Sequence, residues 1–200
     1  YDVVEPGTYM YHCHMEATEH MQMGMLANLY VHPAQDGTPY TDGLGRTFTK
    51  FAYNDGDGST GFDVEVPIQI GSMDSAFHDA SSSIQPLPFA LMKDDYPMLN
   101  GRGYPDTVSA TPPVPPADNG SVVSQPIDSR GVATAGQRIL LRISNLNVTR
   151  FNTLATYGLP MRVVGADAKL LRGPSGQDTS YLTSSITIGG GQSVDVIVDT

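Results

Sequence analysis

The chain has 200 residues, of which 40% are hydrophobic and 16% are charged. This composition excludes a disordered segment and a coiled coil, because both are rich in charge. The formal net charge is −10, which argues against nucleic-acid binding, since phosphate recognition needs clustered cations. No apolar run approaches the ~20 residues of a membrane-spanning helix. The single cysteine excludes a disulfide within the chain.

An all-β fold is indicated by 21 glycines and 15 prolines that follow no fixed period, and by short segments rich in Val, Ile and Tyr. In the clearest segment, polar Arg138, Arg142 and Ser144 alternate with apolar side chains, which predicts one exposed and one buried face. The predicted strands are Gly7–His12, Met25–Val31, Asp63–Gly71, Arg138–Asn145, Met161–Ala166, Ser184–Ile188 and Ser193–Val198.

Two stretches are predicted to lie outside the strands. Residues 37–61 are rich in Asp, Gly and Thr and are predicted as a linker, with the Asp55-Gly56-Asp57-Gly58 run as a turn. Residues 109–130 carry five prolines and are predicted as a surface excursion. The domain organisation predicted from this is 1–36, the end of one domain, and 62–200, most of a second that is truncated at its end. The chain is expected to be an internal piece of a longer protein.

The chemistry is concentrated between Met10 and Met25, where three of five histidines, the only cysteine and five of nine methionines occur. A thiolate, an imidazole and a thioether in one loop suit a copper ion that alternates between Cu(I) and Cu(II). Cys13, His20 and Met25 supply three such ligands, and the second imidazole must come from another strand. Zinc is the alternative metal, although zinc sites seldom contain methionine.

His12 and His14 flank Cys13, and on a strand both imidazoles would point away from the face that carries the thiolate. One strand can then hold a copper ion on one side and contact a second metal centre on the other. Electrons would pass between the two centres through Cys13 and its neighbours. His32 and His78, which have no ligand-like neighbours in sequence, are predicted to be ordinary surface or turn histidines.

The pattern His12-Cys13-His14, followed by His20 and Met25, resembles the type 1 copper motif of the multicopper oxidases. The preceding Pro6–Tyr11 segment is similar to their Pro-Gly-Thr-aromatic strand. The loop between Cys13 and His20 is longer than in laccases and shorter than in copper nitrite reductases. Three later segments resemble a second domain of the same family: Tyr96–Arg102, Arg138–Asn145 and Gly189–Val198.

The resemblance implies cupredoxin-like Greek-key β-sandwich or barrel domains. It implies that Cys13, His20 and Met25 bind the type 1 copper, and that His12 and His14 bind the type 3 pair of a trinuclear copper cluster. In the full protein a phenol-like compound or a metal ion would be oxidised and dioxygen reduced to water, the electrons passing along Cys13, His12 and His14. Further cupredoxin domains or subunits would complete the cluster. The family is usually exported, which implies a periplasmic or secreted protein.

The alternative function is a non-catalytic blue-copper domain that transfers electrons or holds copper. Such a domain needs no histidine on either side of Cys13, which favours the oxidase. Nitrite reductases lack the histidine that follows the cysteine, so His14 argues against that activity. The 200 residues alone are predicted to be inactive, to bind copper poorly and to form an incomplete sandwich with an exposed edge.

Overall fold

β-Strands dominate the computed structural model, which describes residues 2–200. The strands are β1 (Gly7–His12), β2 (Leu26–Val31), β3 (Tyr40–Thr41), β4 (Thr47–Phe48), β5 (Val64–Met73), β6 (Tyr96–Leu99), β7 (Arg138–Asn145), β8 (Asn152–Ala155), β9 (Met161–Ala166), β10 (Lys169–Leu170), β11 (Tyr181–Thr183), β12 (Ser185–Ile188) and β13 (Ser193–Asp199). The helices are α1 (Ala17–Gln22), α2 (Ser75–Ser81) and the 3-10 turns Phe89–Leu91, Asp106–Val108 and Ala117–Asn119. The all-β prediction is confirmed, and each predicted strand exists to within two residues. Within residues 2–200, no helix combines the length and apolar character needed to cross a membrane.

The main sheet has the strand order β10-β9-β13-β7-β5-β6, with β11 also paired to β9. Its central strand, β7, pairs antiparallel with β13 and parallel with β5. One face packs against the β8–β12 ribbon through a core that includes Ile143, Val196 and Ile186. The other face packs against the segment that precedes β5 through Tyr53, Phe62 and Leu140. The sheet is therefore covered on both sides.

The polar face of β7, predicted to be exposed, is buried. Arg138, Arg142 and Ser144 have relative exposures of 5%, 0% and 0%. The prediction was wrong because the antiparallel pair β1–β2 lies over Arg142 and Ser144, while the β3–β4 hairpin covers Arg138, whose guanidinium lies 4.9 Å from the centre of the Phe48 ring. Ser144 Oγ, for example, donates a hydrogen bond of 2.7 Å to Asn28 Oδ1 on β2. Arg142 and Ser144 therefore hold the N-terminal strands to the sheet.

A buried ionic cluster occupies this junction and consists of Thr8, Tyr53, Glu65, Arg142 and Asp195. Arg142 Nε donates to Glu65 Oε1, and Arg142 Nη1 lies 3.6 Å from Asp195 Oδ1. The hydroxyl groups of Thr8 and Tyr53 donate hydrogen bonds to Asp195 Oδ1 and Oδ2, respectively. Burial raises the pKa of Asp195, although Arg142 and the bonds from Thr8 and Tyr53 oppose that rise. The cluster stabilises the junction only while every charge keeps its partner.

Replacing Arg142 with methionine is expected to lower the free energy of unfolding by about 3–5 kcal/mol, because it leaves Asp195 buried without a cation. Chemical denaturation of both proteins measures the difference. Arg130→Met is the matched control, since Arg130 pairs only with exposed Asp128, and it should have little effect. A loss in Arg142→Met no larger than in this control would show that the cluster does not hold the junction.

Residues 37–61, predicted as a linker, are packed against the main sheet. The β3–β4 hairpin lies in this segment, and Phe48, Phe51 and Tyr53 are at most 3% exposed. Gly165 on β9 permits the close approach, because a Cβ atom there would lie 2.1 Å from the Tyr53 hydroxyl. The segment is therefore part of the core and not an open linker. The division into domains at this segment stays a prediction.

The predicted turn at Asp55 is organised by its half-buried carboxylate. This group accepts hydrogen bonds from the side chains of Gln35 and Thr60 and from the backbone N–H groups of Gly58 and Thr60. Burial alone would raise the pKa of Asp55, but the bonds from Thr60 and Gln35 outweigh it, and the net pKa is lowered. A lowered pKa means that the native state favours the ionised carboxylate.

Stability contributed by Asp55 is expected to be present above about pH 4, the ordinary aspartate pKa, and to disappear as the pH falls through the lowered native value. Asp55→Asn should therefore reduce stability at pH 7 and weaken the loss on acidification. Urea denaturation at pH 7 and pH 3 measures both effects. Asp57→Asn is the control, because the Asp57 side chain is 57% exposed. An identical pH dependence in wild type and Asp55→Asn would contradict this account.

The proline-rich excursion at residues 109–130 is largely exposed, as predicted. Its path is fixed by Arg102, which is 1% exposed. The Arg102 guanidinium donates hydrogen bonds to the backbone carbonyls of Ser109, Thr111, Gln125 and Ile127. One side chain therefore gathers both ends of the excursion against the end of β6.

Candidate metal centre

The predicted copper loop, residues 13–25, closes the β1–β2 hairpin. Strand pairing continues to His12 opposite Leu26, and the Cys13 N–H then donates to the Met25 carbonyl at 3.0 Å. The Met25 N–H donates in turn to the His20 carbonyl at 2.9 Å. Helix α1 occupies the six residues of Ala17–Gln22, so the spacing between Cys13 and His20 is accommodated by a short helix. The backbone thus ties all three predicted type 1 ligands into one closed loop.

Cys13 and His20 lie side by side. Cys13 Sγ is 3.0 Å from His20 Nδ1 and 3.1 Å from the Met15 carbonyl. The other ring nitrogen of His20, Nε2, lies 3.7 Å from the Glu16 carboxylate. The pair therefore presents one sulfur and one nitrogen donor to the same space.

His12 and His14 form a second group, with ring centroids 5.5 Å apart and planes at 52°. His12 Nδ1 lies 2.8 Å from the Cys13 carbonyl. A carbonyl can only accept a hydrogen bond, so Nδ1 carries the proton and Nε2 keeps the lone pair that a metal requires. The prediction that His14 lies on a strand was wrong, because β1 ends at His12 and the chain turns toward α1. His14 is exposed.

The Met25 side chain is 56% exposed, so the structure brings its backbone to the pair but not its thioether into a buried position. Among residues 2–200, no group of three or more His, Cys, Asp or Glu side chains is arranged to hold a metal ion. That the second imidazole of the type 1 site comes from another strand stays a prediction. A thiol beside an imidazole is a donor set that suits copper.

Sequence reasoning missed the residues that hold this loop against the rest of the chain. Gln22, the last residue of α1, is 4% exposed. Its carbonyl accepts a bond of 2.6 Å from His78 Nε2 on α2, so His78 is not the ordinary surface or turn histidine predicted. No sequence pattern relates positions 56 residues apart. The only signal in the sequence was one amide side chain, Gln22, within a methionine-rich loop. His32, in contrast, is exposed as predicted.

Two regions of the chain match models of known protein families. The Multicopper oxidase family models match residues 1–35 and residues 92–200, and the second match alone covers more than half of the chain. The comparison with curated proteins finds no match. The first of the two matched regions contains all of the predicted copper loop, residues 13–25.

Solved structures give the same fold at low sequence identity. The Blue Copper Oxidase from Nitrosomonas europaea is 17% identical, with a TM-score of 0.64 over 100% of this chain and 47% of that one. The laccase from Botrytis aclada is 18% identical, with a TM-score of 0.54 over 98% of this chain and 29% of that one. The copper nitrite reductase from Nitrosomonas europaea is 17% identical, with a TM-score of 0.59 over 98% of this chain and 53% of that one. The chain thus spans between 29% and 53% of these structures. Together, the fold and the family matches show that this chain belongs to the multicopper oxidase family.

Proposed function

We propose that the complete protein is a copper-dependent oxidase that takes single electrons from a reducing substrate and uses them to reduce dioxygen to water. The observation that carries the proposal is the arrangement around Cys13. Its thiol touches His20 Nδ1 at 3.0 Å, while the rings of His12 and His14 lie together, 5.5 Å apart. One short segment therefore offers two separate sets of metal donors.

In this proposal Cys13, His20 and Met25 hold the type 1 copper, and His12 and His14 hold the type 3 pair. Copper supplies one-electron redox chemistry in such a donor set. The hydrogen bond from His12 Nδ1 to the Cys13 carbonyl orients the ring, so that Nε2 is free for a metal. It also joins the two donor sets by a short bonded route. Further domains or subunits supply the remaining ligands. Residues 1–36 end the copper-binding domain in this proposal, and residues 62–200 form most of a second domain, against which residues 37–61 pack.

The surroundings of the loop favour a cationic or neutral reductant. Residues 1–45 contain six acidic residues and no Lys or Arg. Glu16, 71% exposed, lies beside His20 and adds negative charge at the loop surface. A metal ion would be attracted there by charge, and a neutral phenol would not be repelled. Export to the periplasm or the cell exterior is proposed from the family alone.

Oxygen consumption by the complete, copper-loaded protein tests this function, with a phenol, Fe(II), Mn(II) and Cu(I) offered in turn as reductants. The oxidase predicts uptake of oxygen with at least one of them, together with an intense blue absorption band. The alternative, a blue-copper electron carrier, predicts the same band with no oxygen uptake from any reductant. That second result would leave His12 and His14 without a role.

A further inference from the structure

We propose that Gln22 and His78 are positioning residues that fix His20 against Cys13 by fastening the copper loop to α2. The proposal rests on the proposed function, because it assigns the control of the type 1 site to a contact outside the ligands. Gln22 and His78 lie 56 positions apart in sequence and meet at a hydrogen bond of 2.6 Å. We call this contact region the latch; it consists of Gln22, His78, Asp74 and Asp94.

Every polar group of the Gln22 side chain is used in the latch. Its Oε1 accepts the Asp74 backbone N–H at 2.9 Å, and its Nε2 donates to Asp94 Oδ1 at 3.3 Å. Asp74 and Asp94 are each 6% exposed, and Gln22 is 4% exposed. A buried polar group that loses its hydrogen-bond partner has no water molecule to replace it, so the group is left unsatisfied. The contact between Gln22 and the Asp74–Asp94 region is therefore a buried, specific part of the fold.

The far side of the latch is itself fixed. Asp74 caps α2 by accepting the Phe77 N–H at 2.9 Å, and it also accepts the Lys93 N–H at 2.6 Å. Asp94 Oδ2 accepts the hydroxyl of Thr149 in the loop after β7. The latch consequently joins the copper loop to α2, to the segment before β6 and to the loop after β7.

The helix transmits this anchoring to the ligand. Successive helical residues are rotated by about 100°, so His20 and Gln22 lie on nearly opposite faces of α1. His20 faces Cys13, and Gln22 faces α2. A helix of six residues has no other buried side chain to hold its orientation. Any rotation of α1 that releases Gln22 would therefore move His20 Nδ1 away from Cys13 Sγ.

Histidine 78 gives the sharper test, because its two replacements differ in one property. The Gln22 carbonyl can only accept, so His78 Nε2 is the donor. His78→Gln keeps a donor at nearly the same reach, and His78→Leu removes it. Asp79→Leu is the control, since Asp79 is the exposed neighbour on the same helix. Gln22→Leu leaves the carbonyl that His78 binds and removes the side-chain bonds from Gln22 to Asp74 and Asp94.

Hydrogen exchange of the complete, metal-free protein measures the loop without requiring copper. The amides of Cys13 and Met25, which close the loop, are expected to exchange roughly tenfold faster in His78→Leu and Gln22→Leu. His78→Gln and Asp79→Leu should stay near the wild-type rate. Unchanged exchange in β7 shows that the fold is intact. In the copper-loaded protein, His78→Leu should also shift the reduction potential and the blue band, and His78→Gln should restore them.

Wild-type exchange rates in His78→Leu would overturn the proposal. So would an unchanged potential and blue band in a loop that exchanges faster, because the latch would then not position the ligand. Absence of a blue band in the wild-type protein would instead refute the proposed function, and the exchange rates alone would then decide whether the latch fixes the loop. The two failures are therefore distinguishable.

Discussion

Replacing Cys13 with serine is expected to abolish the blue band and to reduce oxygen uptake by more than 100-fold. In the proposed site the Cys13 thiolate is the soft ligand that suits both Cu(I) and Cu(II), whereas a serine hydroxyl is neither soft nor ionised near neutral pH. Loss of a residue that merely orients a ligand costs about 10–100-fold in activity, so loss of the ligand itself should cost more. Absorption and oxygen uptake of the copper-loaded complete protein measure both effects.

Met23→Leu is the matched control for this substitution. Met23 lies in the same loop, and its side chain is 41% exposed. Leucine preserves the apolar character of the side chain and removes only the sulfur. The control should keep the blue band and the rate of oxygen uptake. A blue band that survives in Cys13→Ser would contradict the assignment of Cys13 as the type 1 ligand.

Replacing His14 with leucine is expected to separate the two donor sets. The blue band should persist, because His14 is not one of the proposed type 1 ligands, whereas oxygen uptake should fall by more than 100-fold, by the same reasoning about lost ligands. His14 is exposed, so the substitution leaves no buried cavity and should not unfold the chain. The same two measurements apply, with copper content as a third.

His32→Leu provides the comparison, because it removes another exposed histidine that lies beyond β2. It should alter neither the blue band nor the oxygen uptake. Full oxygen uptake in His14→Leu would remove the argument for a second metal centre on this segment. If replacing His12 or His14 changed neither the blue band nor the oxygen uptake, that result would favour the alternative function, a blue-copper electron carrier.

Much of the fold was predictable because strand patterns are local. Gly7–His12, Arg138–Asn145 and Met161–Ala166 were predicted with the bounds that the structure has, since alternation of side chains and flanking turn residues determine them. Burial was harder to predict. The alternation of polar and apolar residues in β7 predicts an exposed polar face, yet β1 and β2 cover Arg142 and Ser144 on that face. Only the tertiary structure reveals the partners of Arg142.

In the candidate site, too, local features were predictable from the sequence and contacts made by tertiary packing were not. The spacing of Cys13, His20 and Met25 is a local signal, and the structure brings Cys13 and His20 into contact. Helix α1 went unpredicted because six residues are too few to show a helical period. The contact between Gln22 and His78 depends on how β5, α2 and the copper loop pack together. No spacing rule connects residues that become neighbours through packing.

The link between the two donor sets is the central claim, and one measurement tests it most directly. The complete copper-loaded protein is reduced without oxygen until the blue band is lost, and a known amount of dioxygen is then admitted. The account predicts that the band returns, with four electrons consumed for each dioxygen molecule and no peroxide released. A band that stays bleached while oxygen remains in solution would contradict it and would leave Cys13 and His20 as the site of an electron carrier.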